Sequence, residues 1–409
     1  MLIVKKFGGS SVANAERINH VAQTIVNSYK EGHQVVVVLS AQGDTTDELI
    51  EKAKEINPNA SKREMDMLLA TGEQQSVALM AMAIEKLGYP AISLNAFQCN
   101  IFSTSNYSNA RIKDISTSRI NNELDRKNIV IVTGFQGINR NLDVTTLGRG
   151  GSDTSAVALA AKLGADLCEI YTDVDGVYTC DPRIVKTARK LEEITYDEML
   201  ELASLGAKVL HNRSVELAKK YNVNLVVRSS MTDAEGTVVK EETKVERMLV
   251  NGVAVDKDVA RIAVLGVKDE PGVAFKIFSL LSKEKISVDL IIQSIGRDSS
   301  KDISFTVTKA DMMPAVKFLE ENKATIGFES ISYNDQVAKV SAVGAGMATN
   351  PGVASMMFEA TYDAGINVKM ISTSEIKITV LVSENDADRA AIAIHDKFMN
   401  AGLENVNHL

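Results

Sequence analysis

Residues 128–165 read NIVIVTGFQGINRNLDVTTLGRGGSDTSAVALAAKLGA and join two patterns of different kinds. The beginning, 128–135, is nearly continuous in apolar and β-branched residues, which is typical of a strand buried on both faces. The end, 152–165, has apolar residues three and four positions apart and a glycine near its close, which indicates a helix. This order predicts an α/β layered domain in which ligands bind in the loops that follow the strands.

The same alternation of strand and helix patterns continues to about residue 230. Other short apolar runs predict strands at 2–7, 34–40, 90–96, 168–174 and 223–229. Amphipathic patterns predict helices at 14–32 and 63–88. Because the strands are apolar on both faces, we expect a largely parallel central sheet covered by helices.

The last third of the chain contains a repeat. PGVAFKIFSLLSKEKISVDLI begins at Pro271, and PGVASMMFEATYDAGINVKMI begins at Pro351. Each copy has the pattern of a strand, a turn, an amphipathic helix, two strands and a second helix, which suits a small sheet with helices on one face. A polar, charged segment at 229–248 separates the copies from the first domain. The second copy has little room for a last strand, so we expect residues 250–256 to complete its sheet.

Composition favours a protein of several domains that binds small molecules. The chain has 409 residues, of which 45% are hydrophobic and 24% charged, and its formal net charge is −8. Nucleic acids and anionic membranes bind concentrated basic surfaces, so neither is an expected partner. No run approaches the ~20 apolar residues of a membrane span. The three cysteines, Cys99, Cys168 and Cys180, show no disulfide or metal-ligand spacing, and we expect a reducing, cytoplasmic location.

Two glycine-rich loops are candidate anion sites. KKFGGSS, 5–11, follows a predicted strand, and its paired glycines allow backbone amides to approach a phosphate beside the charge of Lys6. TTLGRGGSDT, 145–154, leads into a predicted helix, and Arg149 can bind a carboxylate or phosphate through two hydrogen bonds. Neither loop has the spacing of a P-loop or a dinucleotide fingerprint. The alternatives are a plain strand-to-helix turn for the first loop and a helix N-terminal acid for Asp153.

Other polar stretches also follow predicted strands. YTDVDGVYTCDPR, 171–183, gathers three aspartates and Arg183, and its alternative is a solvated turn. Its acids lack the EF-hand spacing, so calcium is disfavoured. SAQGDTTDEL lies at 40–49, and LLATGEQQS, 68–76, contains Glu73. The Glu73 carboxylate can hold a ligand ammonium, although a solvated surface acid is the alternative.

KFGGSS, TGE, TTLGRGGSDT and YTDVDGVYTCDPR, in this order and followed by two PG-containing repeats, closely resemble the aspartate kinase family. The resemblance covers essentially the whole chain. It implies an α/β, amino-acid-kinase-like three-layer domain with a largely parallel central sheet, followed by two βαββαβ ferredoxin-like ACT domains. The implied domains are a catalytic domain at 1–245, a linker strand with the first ACT domain at 246–335, and the second ACT domain at 336–409.

The family resemblance implies transfer of the ATP γ-phosphoryl group to the side-chain carboxylate of L-aspartate, giving 4-phospho-L-aspartate. Mg²⁺ would be held mainly by the phosphates, and no residue is assigned as a metal ligand. The implied catalytic residues are Lys6 and Asp153. The implied ATP-binding residues are Lys6, Gly8, Gly9, Ser10, Thr172, Asp173, Tyr178, Arg183 and Lys208. The implied aspartate-binding residues are Ser40, Thr46, Glu73, Phe135, Arg149, Gly150, Gly151 and Ser152. A carboxylate acceptor is already ionised at neutral pH, so the reaction needs no general base.

The resemblance also implies regulation. The reaction would be the first step of lysine, threonine and methionine biosynthesis, inhibited by lysine, threonine or both through the ACT domains. The candidate effector residues are Asp269, Gly272, Val273, Ala274, Gln293 and Ser294 in the first copy and Asn367, Ser374 and Glu375 in the second. The second copy has Thr349 and Asn350 where the first has Asp269 and Glu270. If the acid holds an effector ammonium, the two copies are not equivalent sites.

Several alternatives remain open. The assembly is expected to be a homo-oligomer or a complex with a shorter, ACT-only chain that starts near Met248. The repeats can instead be a dimerisation scaffold without a ligand. A related kinase acting on another acidic substrate, such as acetylglutamate or glutamate, is the nearest enzyme alternative. A catalytically silent amino-acid sensor is the alternative from another class, and the presence of Lys6, Arg149 and Asp153 argues against it.

Overall fold

The computed structural model describes residues 1–206, 209–242, 250–294, 300–345, 347, 350 and 352–406, with side chains through residue 399. The chain divides into two compact units. Unit 1 comprises Met1–Tyr178, Lys190–Ser204 and Lys208–Val245, and unit 2 comprises Thr179–Arg189, Leu205–Ala207 and Glu246–Leu409. Unit 2 thus includes two short segments that precede residue 245, and the domain boundaries inferred from the sequence stay predictions.

An eight-stranded sheet forms the centre of unit 1 in the described part of the chain. Its strands are β1 (Leu2–Phe7), β2 (Gln34–Leu39), β3 (Ala91–Leu94), β6 (Ile129–Thr133), β9 (Leu167–Thr172), β10 (Glu193–Thr195), β11 (Leu225–Ser229) and β12 (Thr237–Lys240). The spatial order is β10-β12-β11-β9-β1-β2-β6-β3, and each neighbouring pair is parallel except β11 and β12. Valines 35–38 of β2 are fully buried, as expected for a strand covered on both faces.

A smaller four-stranded sheet lies beside the main one in unit 1. It consists of β4 (Ile101–Ser103), β5 (Ile112–Ile115), β7 (Gln136–Ile138) and β8 (Val144–Thr146) in the order β5-β4-β7-β8. These strands were not predicted from the sequence, because three or four residues are too few to show a period of two. Strand β8 leads directly into the second glycine-rich loop, so this small sheet positions that loop.

The helices of unit 1 pack on both faces of the main sheet. They are α1 (Ala15–Lys30), α2 (Thr45–Ile56), α3 (Lys62–Lys86), α4 (Ser118–Asp125), α5 (Gly151–Leu163), α6 (Tyr196–Ser204) and α7 (Asn212–Tyr221). The side chains of Asn14 and Ser61 accept hydrogen bonds at the first turns of α1 and α3 and so cap these helices. Helices α1 and α3 share a core with Phe7, whereas α5 contacts the opposite side of β1 through Lys6. The main sheet and the helices on its two faces thus form three layers.

Unit 2 is built on one antiparallel sheet with the order β14-β15-β13-β16-β18-β17. Its strands are β13 (Gly252–Lys268), β14 (Ile291–Gln293), β15 (Ser300–Val307), β16 (Ser330–Val343), β17 (Met370–Thr373) and β18 (Lys377–Ser383). Its helices are α8 (Val273–Lys283), α9 (Lys309–Glu321), α10 (Lys323–Ile326), α11 (Val353–Asp363) and α12 (Ala387–Val406). The first part of β13, from Gly252 to Asp256, pairs with Val343 to Lys339 of β16. Each repeat has its own hydrophobic core.

Segment 179–189 packs within unit 2. Cys180 and Val185 are buried in the core of the second repeat together with Ile394 of α12. The Thr179 hydroxyl hydrogen-bonds the buried ring of His395 at 2.9 Å. Within the described residues, no helix is both long enough and apolar enough to cross a bilayer.

Candidate active site

A cavity of about 320 Å³ opens in unit 1 where β1, β2 and β6 end. It is lined by Lys6, Gly8, Gly9, Ser40, Ala41, Gly43, Thr46, Glu73, Phe135, Gly148, Arg149, Gly150, Gly151, Ser152 and Asp153. Loops after parallel strands are the usual ligand sites of such sheets. A larger cavity of about 400 Å³ lies around Lys5, Glu169 and Arg228, but neither the second glycine-rich loop nor the start of α5 lines it. The smaller cavity is therefore the candidate active site.

Lys6 and Asp153 form the charged centre of the cavity. The Lys6 Nζ atom lies 2.6 Å from Asp153 Oδ1, and both side chains are about nine-tenths buried. The Lys6 ammonium has three N–H donors, so the ion pair with Asp153 leaves others that a phosphate oxygen can accept.

Close backbone packing shapes the first glycine-rich loop. A Cβ added to Gly9 would lie 2.7 Å from the Ala41 carbonyl oxygen, so only glycine fits there. The Gly43 amide donates to the Gly9 carbonyl at 3.0 Å, which ties the loops after β1 and β2 together. A Cβ on Gly8 would lie 3.5 Å from Lys6 Nζ. The backbone of the loop therefore passes directly beside the lysine ammonium.

The second glycine-rich loop places the start of helix α5 at the cavity. Gly150 caps this helix with a φ of +69°, and Gly151, Ser152 and Asp153 form its first turn. A helix N-terminus attracts anions through its free amides and its dipole. A Cβ on Gly150 would lie 2.2 Å from Cγ of His211, so the His211 ring packs against the bare backbone of the loop.

Glu73 reaches the cavity from helix α3 and is only 3% exposed. Its Oε1 atom accepts a hydrogen bond of 3.1 Å from the Ala41 amide, whereas its buried Oε2 atom has no partner among the described residues. Burial raises the pKa of this carboxyl to about 7, an effect that the hydrogen bond from Ala41 opposes. A buried acceptor without a donor fits a ligand ammonium. The structure thus differs from the solvated surface acid that the sequence left open.

The other predicted aspartate-binding residues complete the wall. Ser40 and Thr46 follow β2, with Thr46 in the first turn of α2, a helix that the sequence analysis did not predict. Phe135 has a φ of +66°, and its carbonyl accepts the Leu147 amide at 2.8 Å. Arg149 is exposed at the cavity mouth. The cavity therefore gathers all eight of the residues predicted to bind aspartate.

The residues predicted to bind the nucleotide do not all lie in one place, unlike those predicted to bind aspartate. Thr172 is the last residue of β9, the strand beside β1, and Asp173 follows it, while Tyr178 donates to Asp175 at 2.8 Å. Ser10 is exposed and does not line the cavity. Arg183 belongs to unit 2, where it pairs with Asp181 at 2.7 Å. Lys208 lies outside the described residues, as do Met248 and Thr349.

The candidate effector residues lie in unit 2. Asp269 pairs with Lys301 at 2.5 Å, just before Gly272 caps α8 with a φ of +91°. Val273 is buried at the start of α8 and Ala274 next to it is exposed. The exposed candidates that follow the helices are Gln293, Ser294, Asn367, Ser374 and Glu375. Ser294 and Ser374 are held by backbone hydrogen bonds to Asp302 and Lys377.

Sequence reasoning missed residues that support the second loop. Arg213 of α7 donates to the Leu147 carbonyl at 2.6 Å and to the Ala110 carbonyl at 3.0 Å. Asp66 of α3 accepts from Thr146, the residue before Leu147. Neither residue lies near a glycine-rich motif in the sequence, so no local signal marked it.

Family models match most of the chain. Residues 1–229 match the amino acid kinase family, and residues 262–322 and 340–398 match the ACT domain. An aspartokinase of Corynebacterium efficiens is 50% identical over 409 residues, which cover 98% of this chain and 97% of that protein. The chain belongs to the aspartokinase family.

Solved structures resemble this aspartokinase chain. Aspartate kinase from Synechocystis has 45% sequence identity and a TM-score of 0.55, over 98% of this chain and 69% of that chain. Escherichia coli aspartokinase III in complex with aspartate and ADP has 24% identity and a TM-score of 0.83, over 98% of this chain and 100% of that chain, and so shares the fold. The predicted fold class is confirmed. The predicted enzyme class, a phosphotransferase with a carboxyl group as acceptor, is confirmed as well.

Proposed function

We propose that the cavity around Lys6 and Asp153 transfers the γ-phosphoryl group of ATP to the side-chain carboxylate of L-aspartate, giving 4-phospho-L-aspartate and ADP. The observation that carries this proposal is the presence in one cavity of a lysine ammonium, a helix N-terminus, an exposed arginine and a buried carboxylate oxygen to which no described residue donates. An amino acid with a second carboxylate presents the complementary groups.

Aspartate would bind by its two α-substituents. Glu73 Oε2 accepts from the α-ammonium, and Arg149 binds the α-carboxylate through its guanidinium fork. Ser40, Thr46, Phe135, Gly150, Gly151 and Ser152 surround the remaining carbons and the side-chain carboxylate. Holding both ends of the amino acid points its side chain toward Lys6 and converts the attack into an intramolecular step.

The nucleotide phosphates would enter beside the first glycine-rich loop. Gly8, Gly9 and Ser10 offer backbone amides and a hydroxyl, and Thr172, Asp173, Tyr178, Arg183 and Lys208 are the proposed contacts to the rest of the nucleotide. Mg²⁺ would enter with the phosphates and neutralise part of their charge.

The transfer itself requires positioning and charge stabilisation. One oxygen of the aspartate side-chain carboxylate attacks the γ-phosphorus, and the bond between the γ-phosphorus and its bridging oxygen breaks as ADP leaves. The carboxylate is already ionised, so no proton has to be removed. Lys6 stabilises the charge on the transferring group, and Asp153 orients the Lys6 ammonium and limits its motion.

The direct test is formation of an acyl phosphate trapped with hydroxylamine. Purified enzyme is incubated with ATP, Mg²⁺ and L-aspartate, with L-glutamate and N-acetyl-L-glutamate in parallel. Hydroxamate that forms with aspartate alone supports the proposed substrate. Hydroxamate that forms only with another acidic substrate would show that aspartate is not the substrate, and it would leave the fold assignment unchanged.

We further propose feedback inhibition through the ACT region, with product feeding the biosynthesis of lysine, threonine and methionine. Lysine, threonine or both would bind at the candidate residues of the two repeats, which lie around the start of α8 and the end of β14 in the first copy and after α11 in the second. The proposed assembly is a homo-oligomer or a complex with an ACT-only chain starting near Met248. The same assay with lysine and threonine, added singly and together, identifies the inhibitor.

A further inference from the structure

Asp66 is a buried carboxylate in unit 1 that the proposed reaction does not use. It lies in the second turn of α3 and has no solvent exposure. Among the described residues no lysine, arginine or histidine pairs with it within 4.0 Å. A buried carboxylate without a cation is costly unless neutral donors satisfy it. The hydrogen-bond donors to Asp66 therefore indicate its role.

In the part of the chain that the structure describes, two residues supply the hydrogen bonds that Asp66 accepts. The Ser108 amide donates to both carboxylate oxygens, at 3.0 and 2.9 Å, and the Ser108 hydroxyl donates at 3.2 Å. The Thr146 amide and hydroxyl each donate at 2.8 Å. Thr146 is the last residue of β8, two positions before Gly148. Asp66 therefore joins α3 to the strand that enters the second glycine-rich loop.

The partners of Asp66 are themselves in contact with that loop. Ser108 has a φ of +66°, an unfavourable conformation for a residue other than glycine. A Cβ on Gly148 would lie 3.0 Å from the Ser108 carbonyl oxygen, so Ser108 supports the backbone just before Arg149. The Ala110 amide donates to the Thr146 carbonyl at 2.9 Å, so the segment that contains Ser108 is also bonded directly to the end of β8.

Helix α3 carries Asp66 and Glu73 seven residues apart. Seven residues are about two helical turns, or ~10 Å, so both side chains leave the same face of one rigid element. Glu73 reaches the cavity, while Asp66 holds the loop that carries Arg149. Helix α3 thus positions both residues that would bind aspartate: Glu73 directly, and Arg149 through the contacts of Asp66.

We propose that Asp66 is a positioning residue that fixes the separation between Glu73 and Arg149 and thereby sets the fit for aspartate. This inference rests on the proposed function, because it needs those two residues to hold the two ends of the substrate. Asp66 hydrogen-bonds Ser108 and Thr146 and none of the described residues proposed to bind the nucleotide. Loosening the Asp66 contacts should therefore weaken aspartate binding and leave nucleotide binding nearly unchanged.

The test separates the KM for aspartate from the KM for ATP and from kcat. Asp66→Asn keeps the shape of the side chain but turns one acceptor into a donor that faces the amides of Ser108 and Thr146. We expect the aspartate KM to rise about 10- to 100-fold, as for a binding group displaced by a fraction of an ångström to one ångström. The ATP KM should stay within about twofold of the wild-type value. The ratio of kcat/KM for aspartate to kcat/KM for glutamate should also fall.

A second variant and a control keep the test decisive. Thr146→Val removes one hydroxyl donor at nearly constant volume, and it should raise the aspartate KM several-fold even if Asp66→Asn does not fold. Glu198 is the matched control, because it is 1% exposed and accepts from the Thr195 amide and hydroxyl at 3.2 and 2.9 Å. Glu198→Gln should lower the thermal midpoint without changing the aspartate KM.

Failure of this inference is distinguishable from failure of the proposed function. If Arg149→Ala raises the aspartate KM but Asp66→Asn and Thr146→Val do not, Asp66 has only a structural role and the inference is overturned. If the wild-type enzyme does not phosphorylate aspartate, the proposed function and the inference are overturned together.

Discussion

Glu73 should make aspartate binding depend on pH near neutrality. Burial raises the pKa of its carboxyl to about 7, so in the empty enzyme it gains a proton as the pH falls through that value. A protonated Glu73 loses its attraction for an ammonium, and a bound ammonium in turn favours the ionised form. We expect the aspartate KM to rise about 10-fold between about pH 8 and about pH 6. Initial rates over this range measure the effect.

Glu73→Gln is the control for this pH dependence. It removes the titrating group and keeps the side-chain size, so the aspartate KM should be high and nearly independent of pH. The KM for ATP, measured in parallel, reports any titration of the nucleotide. A wild-type aspartate KM that does not change with pH, or a Glu73→Gln variant with the wild-type pH profile, would contradict a role of Glu73 in binding the ammonium.

Single residues differed in how much the sequence could reveal about them. Lys6, Arg149 and Asp153 stand in or beside glycine-rich loops, and their chemistry was predictable from that setting. Asp66 and Arg213 act over long distances in the chain, since Asp66 and Thr146 are 80 positions apart. Only the fold brings such pairs together, so their contribution to the candidate site could not be predicted from one sequence.

Helix α5 offers a test of its first turn, because glycines with positive φ stand at both ends. Gly150 has a φ of +69° and packs on His211, whereas Gly164 has a φ of +61° and no heavy atom of a described residue within 4 Å of an added Cβ. Alanine at either position adds backbone strain of about 1 kcal/mol. Only Gly150→Ala also displaces the loop, and we expect its kcat/KM for aspartate to fall about 100-fold.

Gly164→Ala is the matched control for that loss. It should lower the thermal midpoint in the same direction as Gly150→Ala while keeping kcat/KM close to the wild-type value. Equal activity of the two variants would show that contact with His211 does not position the loop.

Elements with strong periodicity were predictable and short ones were not. The buried strands β2 and β6 and the helices α1 and α3 follow from apolar pattern and capping residues. Strands β4, β5, β7 and β8 carry too few residues for a pattern, and their formation depends on pairing across the chain. Helix α2 begins at Thr45 within a stretch that reads as a polar loop. The secondary structure of such segments depends on tertiary contacts.

At the scale of the whole molecule, regulation should be separable from catalysis. Gln293, at the end of β14, and Glu375, between β17 and β18, are exposed in unit 2 and are among the residues that the resemblance assigns to an effector. We expect Gln293→Ala and Glu375→Gln to relieve inhibition by lysine, threonine or the pair, by about 5- to 150-fold in inhibitor concentration. Turnover without effector should be nearly unchanged, as measured by the hydroxamate assay.

Glu320→Gln is a matched control, since Glu320 is also exposed in unit 2 but lies on α9. It removes the same charge as Glu375→Gln and should leave inhibition at the wild-type level. Unchanged inhibition in both Gln293→Ala and Glu375→Gln would remove these residues from the effector site.

The most direct measurement is the turnover of Lys6→Met compared with Lys162→Met. Both lysines lie 2.6 Å from an aspartate, but the Lys6 pair is buried in the cavity and the pair of Lys162 with Asp114 is exposed. With the fold verified by circular dichroism, Lys6→Met should lose about 100- to 1,000-fold in kcat, as when a transition-state donor is removed. Lys162→Met should keep its turnover. Near-normal acyl-phosphate formation by Lys6→Met would contradict the assignment of this cavity as the catalytic centre.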